Sequence, residues 1–435
     1  RPTLRIGIIP CLNSSLGGIY QYSITMLDAL NDWTEGYCQD GLVLFASEVQ
    51  HSVLARFRGP GWSVMALQPP GRVDALRRIV GEGPHREAWR WLRGRLSRLR
   101  HDYPDPDTIR FRPDVNDAWR DARIDFAVYP YPNRLSFEAG IPYVMAIHDL
   151  QHRLQPEFPE VTSNGEREWR EYHFRNGSRY ATLLLADSEV GKEDILNFYG
   201  AYGVTADRVK VLPYLPASSL AVDVSERERQ RVRQAYRLPG RYIFYPAQFW
   251  PHKNHINIIR AVGLLKRQYQ LKIPMVFAGW HSGEIREQVF RDVMDLAARL
   301  GLQDNLQYLG YVADQDMSAL YAEATALVMP TFFGPTNIPV LEAWAYGCPV
   351  LTSAIRGIRE QVQDAAMLVD PRSSEAIADG IYQLWTDERL CADLTERGRR
   401  RLAAYTPEDY GRTLRQILAE AKARVSSEPC RIPVR

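Results

Sequence analysis

Lysine is scarce in this chain: six of the 54 basic residues are lysine, which leaves 48 arginines. One of the six, Lys253, sits in the run Tyr245-Pro-Ala-Gln-Phe-Trp-Pro-His-Lys-Asn-His255, after a short apolar run and before a helical pattern that starts near Asn254. A lysine at the carboxyl end of a parallel strand, reaching over a helix N-terminus, can meet a phosphate. A lone lysine is more often solvated, but this position favours the functional reading. A second segment, Met329-Pro-Thr-Phe-Phe-Gly-Pro-Thr-Asn-Ile-Pro-Val-Leu-Glu-Ala343, is a Gly/Pro/Asn loop that runs into a helix and places Glu342 within its first turn. A carboxylate there either complements the helix macrodipole or accepts hydrogen bonds from a ribose diol. A third, Gly17-Gly18, lies at a strand-to-helix turn, where the absence of side chains lets backbone amides approach an anion. Tight-turn geometry accounts for the two glycines equally well.

Other motifs fail on context. His148-Asp-Leu-Gln-His152 has the spacing of a zinc-protease helix, yet it follows directly on the apolar run Tyr143–Ile147 and meets Pro156 and Pro159. Asp105-Pro-Asp107 has the carboxylate spacing of metal-dependent sugar transferases, but it lies in a proline-rich loop and reads as a solvated turn. Neither G-x-G-x-x-G nor a Walker loop occurs, which counts against dinucleotide oxidoreduction and P-loop hydrolysis. The five cysteines are scattered and never form C-x-x-C, so a zinc knuckle or disulfide framework is not expected, and no metal or cofactor is expected either.

The elements that must carry these residues follow from periodicity. Twelve short apolar runs alternate with amphipathic segments: Leu4–Pro10, Leu42–Ala46, Phe126–Tyr129, Tyr143–Ile147, Thr182–Ala186, Val209–Leu212, Tyr242–Pro246, Met275–Ala278, Leu306–Leu309, Ala326–Met329, Pro349–Thr352 and Ala366–Val369. Each is too short for a helix and is bounded by turn residues, which predicts parallel strands covered on both faces. Repeated strand–helix–strand units define an α/β chain of doubly wound sheets. Twelve strands exceed one such sheet, so the chain is divided into a domain over residues 1–217 and a second over 218–405. The seam is placed at Pro213-Tyr-Leu-Pro-Ala-Ser-Ser219, before the charged helical run Ser225–Gln234. The last helix, Pro407–Ala423, has no strand after it and either caps the second sheet or crosses back to the first domain. The tail beyond Val425 is expected to fray.

A net charge of +2, with 24% charged and 45% hydrophobic residues, argues against a disordered tail protein or a strongly basic nucleic-acid binder. No apolar run reaches the roughly 18 residues of a membrane span. The first residue is Arg1 and no secretory-signal pattern follows, so a cytoplasmic protein is expected. Arg72–Arg100 breaks the rhythm with nine arginines against three acids and with Trp89 and Trp91 embedded. It is either an ordinary surface helix or an interfacial segment that would hold the protein on the inner face of an anionic membrane.

Together these segments resemble the retaining glycosyltransferases of family 4, which have the GT-B fold of two Rossmann-like domains facing across a cleft. The resemblance runs through Gly17-Gly18, His148-Asp149, Asp187-Ser188 with Lys192, Lys253, Tyr308-Leu-Gly-Tyr-Val312, and Pro-Val-Leu-Glu342-Ala with Gly347-Cys-Pro-Val350. It implies a nucleotide-diphosphate-sugar donor held by the C-terminal domain, a glycan or lipid-linked acceptor held by the N-terminal domain, and a final helix (406–425) that returns to the first domain. It further implies Lys253 on the donor diphosphate, Glu342 on the ribose, Gly17 and Gly18 beside the diphosphate, and His148 with Asp149 beside the transferred sugar. Tyr311, Thr336, Asn337 and Ile338 would complete the donor pocket. Two positions depart from the pattern. Gln248 stands where the family has an arginine, removing one positive charge, and Gly334 stands where it has a first glutamate. The alternatives within this fold are a nucleotide-sugar epimerase, a sugar phosphorylase, or a nucleotide-sugar-binding scaffold without activity.

Overall fold

The computed structural model describes residues 4–35, 41–46, 52–57, 59, 61–67, 106–217 and 223–433. The segment Arg72–Arg100 and Asp105 lie outside them. The first sheet has seven strands, β1 (Arg5–Ile8), β2 (Gly41–Ala46), β3 (Trp62–Ala66), β4 (Phe126–Tyr129), β5 (Tyr143–Ile147), β6 (Leu183–Ala186) and β7 (Val209–Val211). Their order is β3-β2-β1-β4-β5-β6-β7 and every pairing is parallel. The second has six: β8 (Ile243–Pro246), β9 (Met275–Ala278), β10 (Leu306–Tyr308), β11 (Ala326–Met329), β12 (Val350–Ser353) and β13 (Met367–Val369). They are ordered β10-β9-β8-β11-β12-β13, again all parallel.

All twelve predicted strands are present. Their continuous apolar character reflects burial on both faces, since all of β4, β5, β6 and β11 is buried. The sequence reading missed β3. It lies at the sheet edge, pairs only with β2 and exposes its last two residues, so Trp-Ser-Val-Met-Ala lacks the uniform apolar signal of a central strand.

The final helix, Pro407–Ser427, opens with a capping box: Thr406 Oγ1 accepts from the Asp409 amide at 3.2 Å, and Asp409 Oδ2 accepts from the Thr406 amide at 3.0 Å. It buries Tyr410, Leu414, Ile417, Leu418 and Ala421 in one cluster with Ile6, Ile8, Met26 and Leu27, so it crosses back onto the first sheet. The chain after it is not uniformly frayed as expected, because Ile432 is buried in the core of the first domain.

Candidate functional site

In a doubly wound sheet the carboxyl ends of the strands open a crevice where the strand order reverses. The reversal in the first sheet falls between β1 and β4, and in the second between β8 and β11. The loop after β8 carries Gln248 and Lys253, and the loop after β11 carries Gly334 through Glu342. Both segments singled out in the sequence therefore leave neighbouring strands at the reversal of the second sheet. The loops after β1, β5 and β6 face them from the first domain. Several polar links cross the cleft: Gln155 Nε2 donates to the Phe332 carbonyl at 2.9 Å, Glu160 accepts from the His252 amide at 3.1 Å, and the Thr336 hydroxyl donates to Asp187.

On the C-terminal side, Lys253 ends a 3-10 turn (Pro251–Lys253), and Asn254 caps the next helix, His255–Tyr269, from the left-handed region at φ 62°. The Asn254 side chain is buried and donates to the carbonyls of Pro330 and Pro371 at 2.7 and 2.8 Å, pinning the lysine loop to the loop after β11. The half-buried Lys253 ammonium has no ion pair within 4.0 Å among the described residues. Burial pushes its pKa down to about 8, against the opposing charges of Asp149 and Glu160 across the cleft.

Glu342 sits on the helix Ile338–Ala345. That helix begins at Ile338 with Pro339 in its first turn, which puts Glu342 one turn further in than the sequence reading had it. The macrodipole explanation thereby loses force. Burial raises its pKa to about 7, although Oε2 accepts a 2.7 Å hydrogen bond from the Tyr321 hydroxyl. Gly334 has φ 141°, and a Cβ there would lie 2.6 Å from Asn337 Nδ2. A glutamate at 334 and the present position of Asn337 thus exclude each other. The Asn337 backbone is held by Gln361 through two 2.9 Å bonds, while its buried Nδ2 has no partner among the described residues. Tyr311 is half exposed and stacks on Trp280 at 5.4 Å. The side chain of Ile338 faces Gly18, whose added Cβ would lie 3.7 Å from Ile338 Cδ1.

The N-terminal side differs. Gly17, at φ 55°, turns the chain into the helix Gly18–Glu35 and comes close to the Gln248 amide. His148 uses both ring nitrogens: Nε2 lies 2.7 Å from the Pro130 carbonyl and must donate, so Nδ1 accepts from the Tyr214 hydroxyl at 2.7 Å. Burial lowers its pKa, partly countered by the Pro130 bond. Asp149 accepts from the Gln151 amide at 3.0 Å and from Arg170 at 3.3 Å; burial alone would raise its pKa, yet these partners hold it below the ordinary value. A pocket of about 250 Å³ between the domains is lined by His148, Asp149, Asp194, Gly334, Pro335 and Arg356 among others. Its two carboxylates are both engaged, Asp149 as above and Asp194 with Arg356 at 2.7 Å. His152 of the discounted zinc-like motif is buried against Glu171 at 2.7 Å, and among the described residues no group of three or more His, Cys, Asp or Glu side chains is arranged to hold a metal ion.

Sequence reasoning missed Asn254, Tyr214, Tyr321, Glu160 and Arg286. It also took Gln248 to leave the site short of a charge. In the structure Arg286 Nη1 donates to Gln248 Oε1 at 2.7 Å, so a guanidinium from another element lies beside Gln248.

Two Rossmann-like domains that present the carboxyl ends of their strands to one cleft define the GT-B fold. The solved structure of Anabaena Alr3699/HepE in complex with UDP and glucose has the same fold, with a TM-score of 0.66 at 17% identity, covering 96% of this chain and 99% of that one. Residues 226–401 match the family described as glycosyl transferases group 1. O-antigen chain mannosyltransferase B of Escherichia coli is 30% identical over 240 residues, 52% of this chain and 61% of that protein. Mannosylfructose-phosphate synthase of Agrobacterium fabrum is 23% identical over 276 residues, 61% of this chain and 60% of that protein. The chain thus spans about three fifths of the length of these two curated relatives. No helix among the described residues is long and apolar enough to cross a membrane.

Proposed function

We propose that the protein is a retaining glycosyltransferase of family 4 that moves a hexose from a nucleotide-diphosphate sugar to a glycan or lipid-linked acceptor in cell-surface polysaccharide or glycolipid synthesis. The observation that carries this reading is Lys253, a half-buried ammonium at the reversal of the second sheet with no ion pair within 4.0 Å among the described residues. The names of the Escherichia coli and Agrobacterium relatives favour mannose as the sugar.

The chemistry required is stabilisation of a leaving group. As the bond between the anomeric carbon and the phosphate oxygen breaks, its electron pair leaves with the diphosphate and the sugar becomes oxocarbenium-like. A fixed cation aimed at the growing negative charge lowers the barrier most in a site that excludes water. Glu342, once ionised, accepts from the ribose hydroxyls. The engaged states of Asp149 and Asp194 leave neither carboxylate arranged as a nucleophile. This supports a front-face reaction in which the acceptor hydroxyl attacks as the diphosphate departs and hands its proton to the departing phosphate oxygen. His148, with both nitrogens occupied, shapes the sugar site as a fixed neutral ring. The cations of the chain itself neutralise the diphosphate, and no metal is needed.

A thermal-shift screen with UDP, GDP, ADP and dTDP identifies the nucleotide by mass action, and mass spectrometry of the matching sugar donors in EDTA then follows hydrolysis and transfer. One nucleotide is expected to stabilise the protein and its sugar donor to be consumed without added metal. Binding without any donor turnover would leave a scaffold, and an epimer formed from donor alone would replace transfer with epimerisation.

A further inference from the structure

The helix Glu284–Arg299 follows β9, the strand beside β8, and its third residue is Arg286. The guanidinium lies over the Trp250 ring at 4.6 Å and donates from Nη1 to Gln248 Oε1 at 2.7 Å. Trp250 Nε1 donates to the same oxygen at 3.1 Å. With Oε1 taken twice, the amide of Gln248 is oriented, and its Nε2 faces Gly17, whose added Cβ would lie 3.8 Å away. Arg286 thus sits on the loop of Lys253, at the side turned toward the glycine turn of the first domain.

Two features mark this arginine as waiting for an anion. It forms no ion pair among the described residues, whereas many arginines of this chain do, Arg356, Arg231 and Arg424 among them. Its Nε is buried without a hydrogen-bond partner among the described residues. A half-buried guanidinium held by a neutral amide and an aromatic face bears the cost of desolvation without the return of a carboxylate.

We propose that Arg286 is the second cation of the donor-diphosphate site, delivered from the helix after β9 to the place where the family pattern has an arginine at position 248. This rests on the reading of the cleft as a nucleotide-diphosphate-sugar site. Gln248 is then a positioning residue that steers Arg286, and the two cations flank the diphosphate from the start and the end of one loop. Arginine suits this place because its planar fork can give Nη1 to Gln248 and still present further N–H donors to phosphate oxygens.

The test compares wild type, Lys253→Ala, Arg286→Met and Arg286→Lys by calorimetric titration with UDP and GDP, and with uridine and guanosine as controls lacking phosphate. Methionine retains an apolar stem on Trp250, and melting of each unliganded variant confirms its fold. Arg286→Met is expected to weaken the preferred diphosphate by about 10- to 100-fold, the range of a charge-assisted contact, while leaving the nucleoside unaffected. Arg286→Lys should fall between, and Gln248→Arg added to Arg286→Met should recover most of the loss. Diphosphate affinity unchanged in Arg286→Met, or lost equally for diphosphate and nucleoside, would overturn the proposal. If wild type binds neither diphosphate more tightly than its nucleoside, the diphosphate-site reading itself fails. If Lys253→Ala weakens binding and Arg286→Met does not, only the role of Arg286 fails.

Discussion

The candidate residues on the two walls of the cleft are held differently. On the N-terminal wall His148 and Asp149 are satisfied within the protein, His148 by Pro130 and Tyr214 and Asp149 by Gln151 and Arg170, while Glu160 Oε2 and Gln155 Oε1 are buried without a partner among the described residues. On the C-terminal wall Lys253 and Arg286 lack counter-ions among the described residues, Asn337 Nδ2 lacks a partner, and Glu342 is held by a single hydroxyl. Leaving a buried polar group unpaired costs about 1–3 kcal/mol, a cost that a ligand completing the contact would remove. On the proposed reading His148 and Asp149 define a shape, and Lys253 and Arg286 meet charge. Substitution of Lys253 should register mainly as turnover, and loss of the partner that holds His148 mainly as stability.

The sharpest way to break that contrast is Lys253→Ala. Removing one preorganised donor from a growing negative charge typically costs about 2.7–4 kcal/mol of barrier, so kcat should fall by about 10²–10³. The melting temperature should not drop, because a desolvated cation is removed. Steady-state kinetics beside thermal melts check both halves.

The next effect is a pH dependence at Glu342. Its folded pKa, raised to about 7, lies above the ordinary 4.5, so the fold favours the protonated acid. That contribution is present below pH 4.5 and is lost as pH rises through 7, a difference of about 3 kcal/mol. Glu342→Gln should therefore match wild type in stability near pH 4.5 and exceed it by up to that amount at pH 8. Donor binding should show the reverse: affinity rises from pH 6 toward 7.5 as the carboxylate forms, falls above 8 as Lys253 loses its proton, and loses its acid limb in Glu342→Gln. Thermal melts and titrations across this range decide it.

Gly334→Glu, which restores the family residue, should cost about 1–3 kcal/mol of stability and lower activity, because the positive φ and the Asn337 side chain oppose any side chain there. Pairing it with Asn337→Gly should relieve part of the loss. The smallest effect belongs to the N-terminal wall. Tyr214→Phe removes the donor to His148 Nδ1 and should cost about 1 kcal/mol in a melt, with less than a tenfold change in kcat.

Much of this contrast was legible in the sequence. Buried parallel strands produce uninterrupted apolar runs, so twelve of the thirteen strands among the described residues could be read, and the edge strand β3 escaped because none of its residues is fully buried and its last two are exposed. Lys253 was legible because lysine is scarce and this one follows a strand. Arg286 was not: it is one of 48 arginines, and only the adjacency of β9 to β8 brings it onto Gln248. The turn that holds Glu342 was misplaced because Asn337 and Pro339 both signal a helix start, and the structure begins the helix between them, at Ile338. Which polar groups are already satisfied is a property of packing across the two domains, as the pairs Gln155–Phe332 and Asp187–Thr336 show, and no local pattern encodes it.

The most direct measurement is a crystal structure with the nucleoside diphosphate that stabilises the protein in the thermal screen. The account predicts Lys253 Nζ within hydrogen-bonding distance of the terminal phosphate and the ribose hydroxyls on Glu342. A nucleotide bound elsewhere, or bound in the cleft with the Lys253 ammonium turned to solvent and far from any phosphate oxygen, would contradict it.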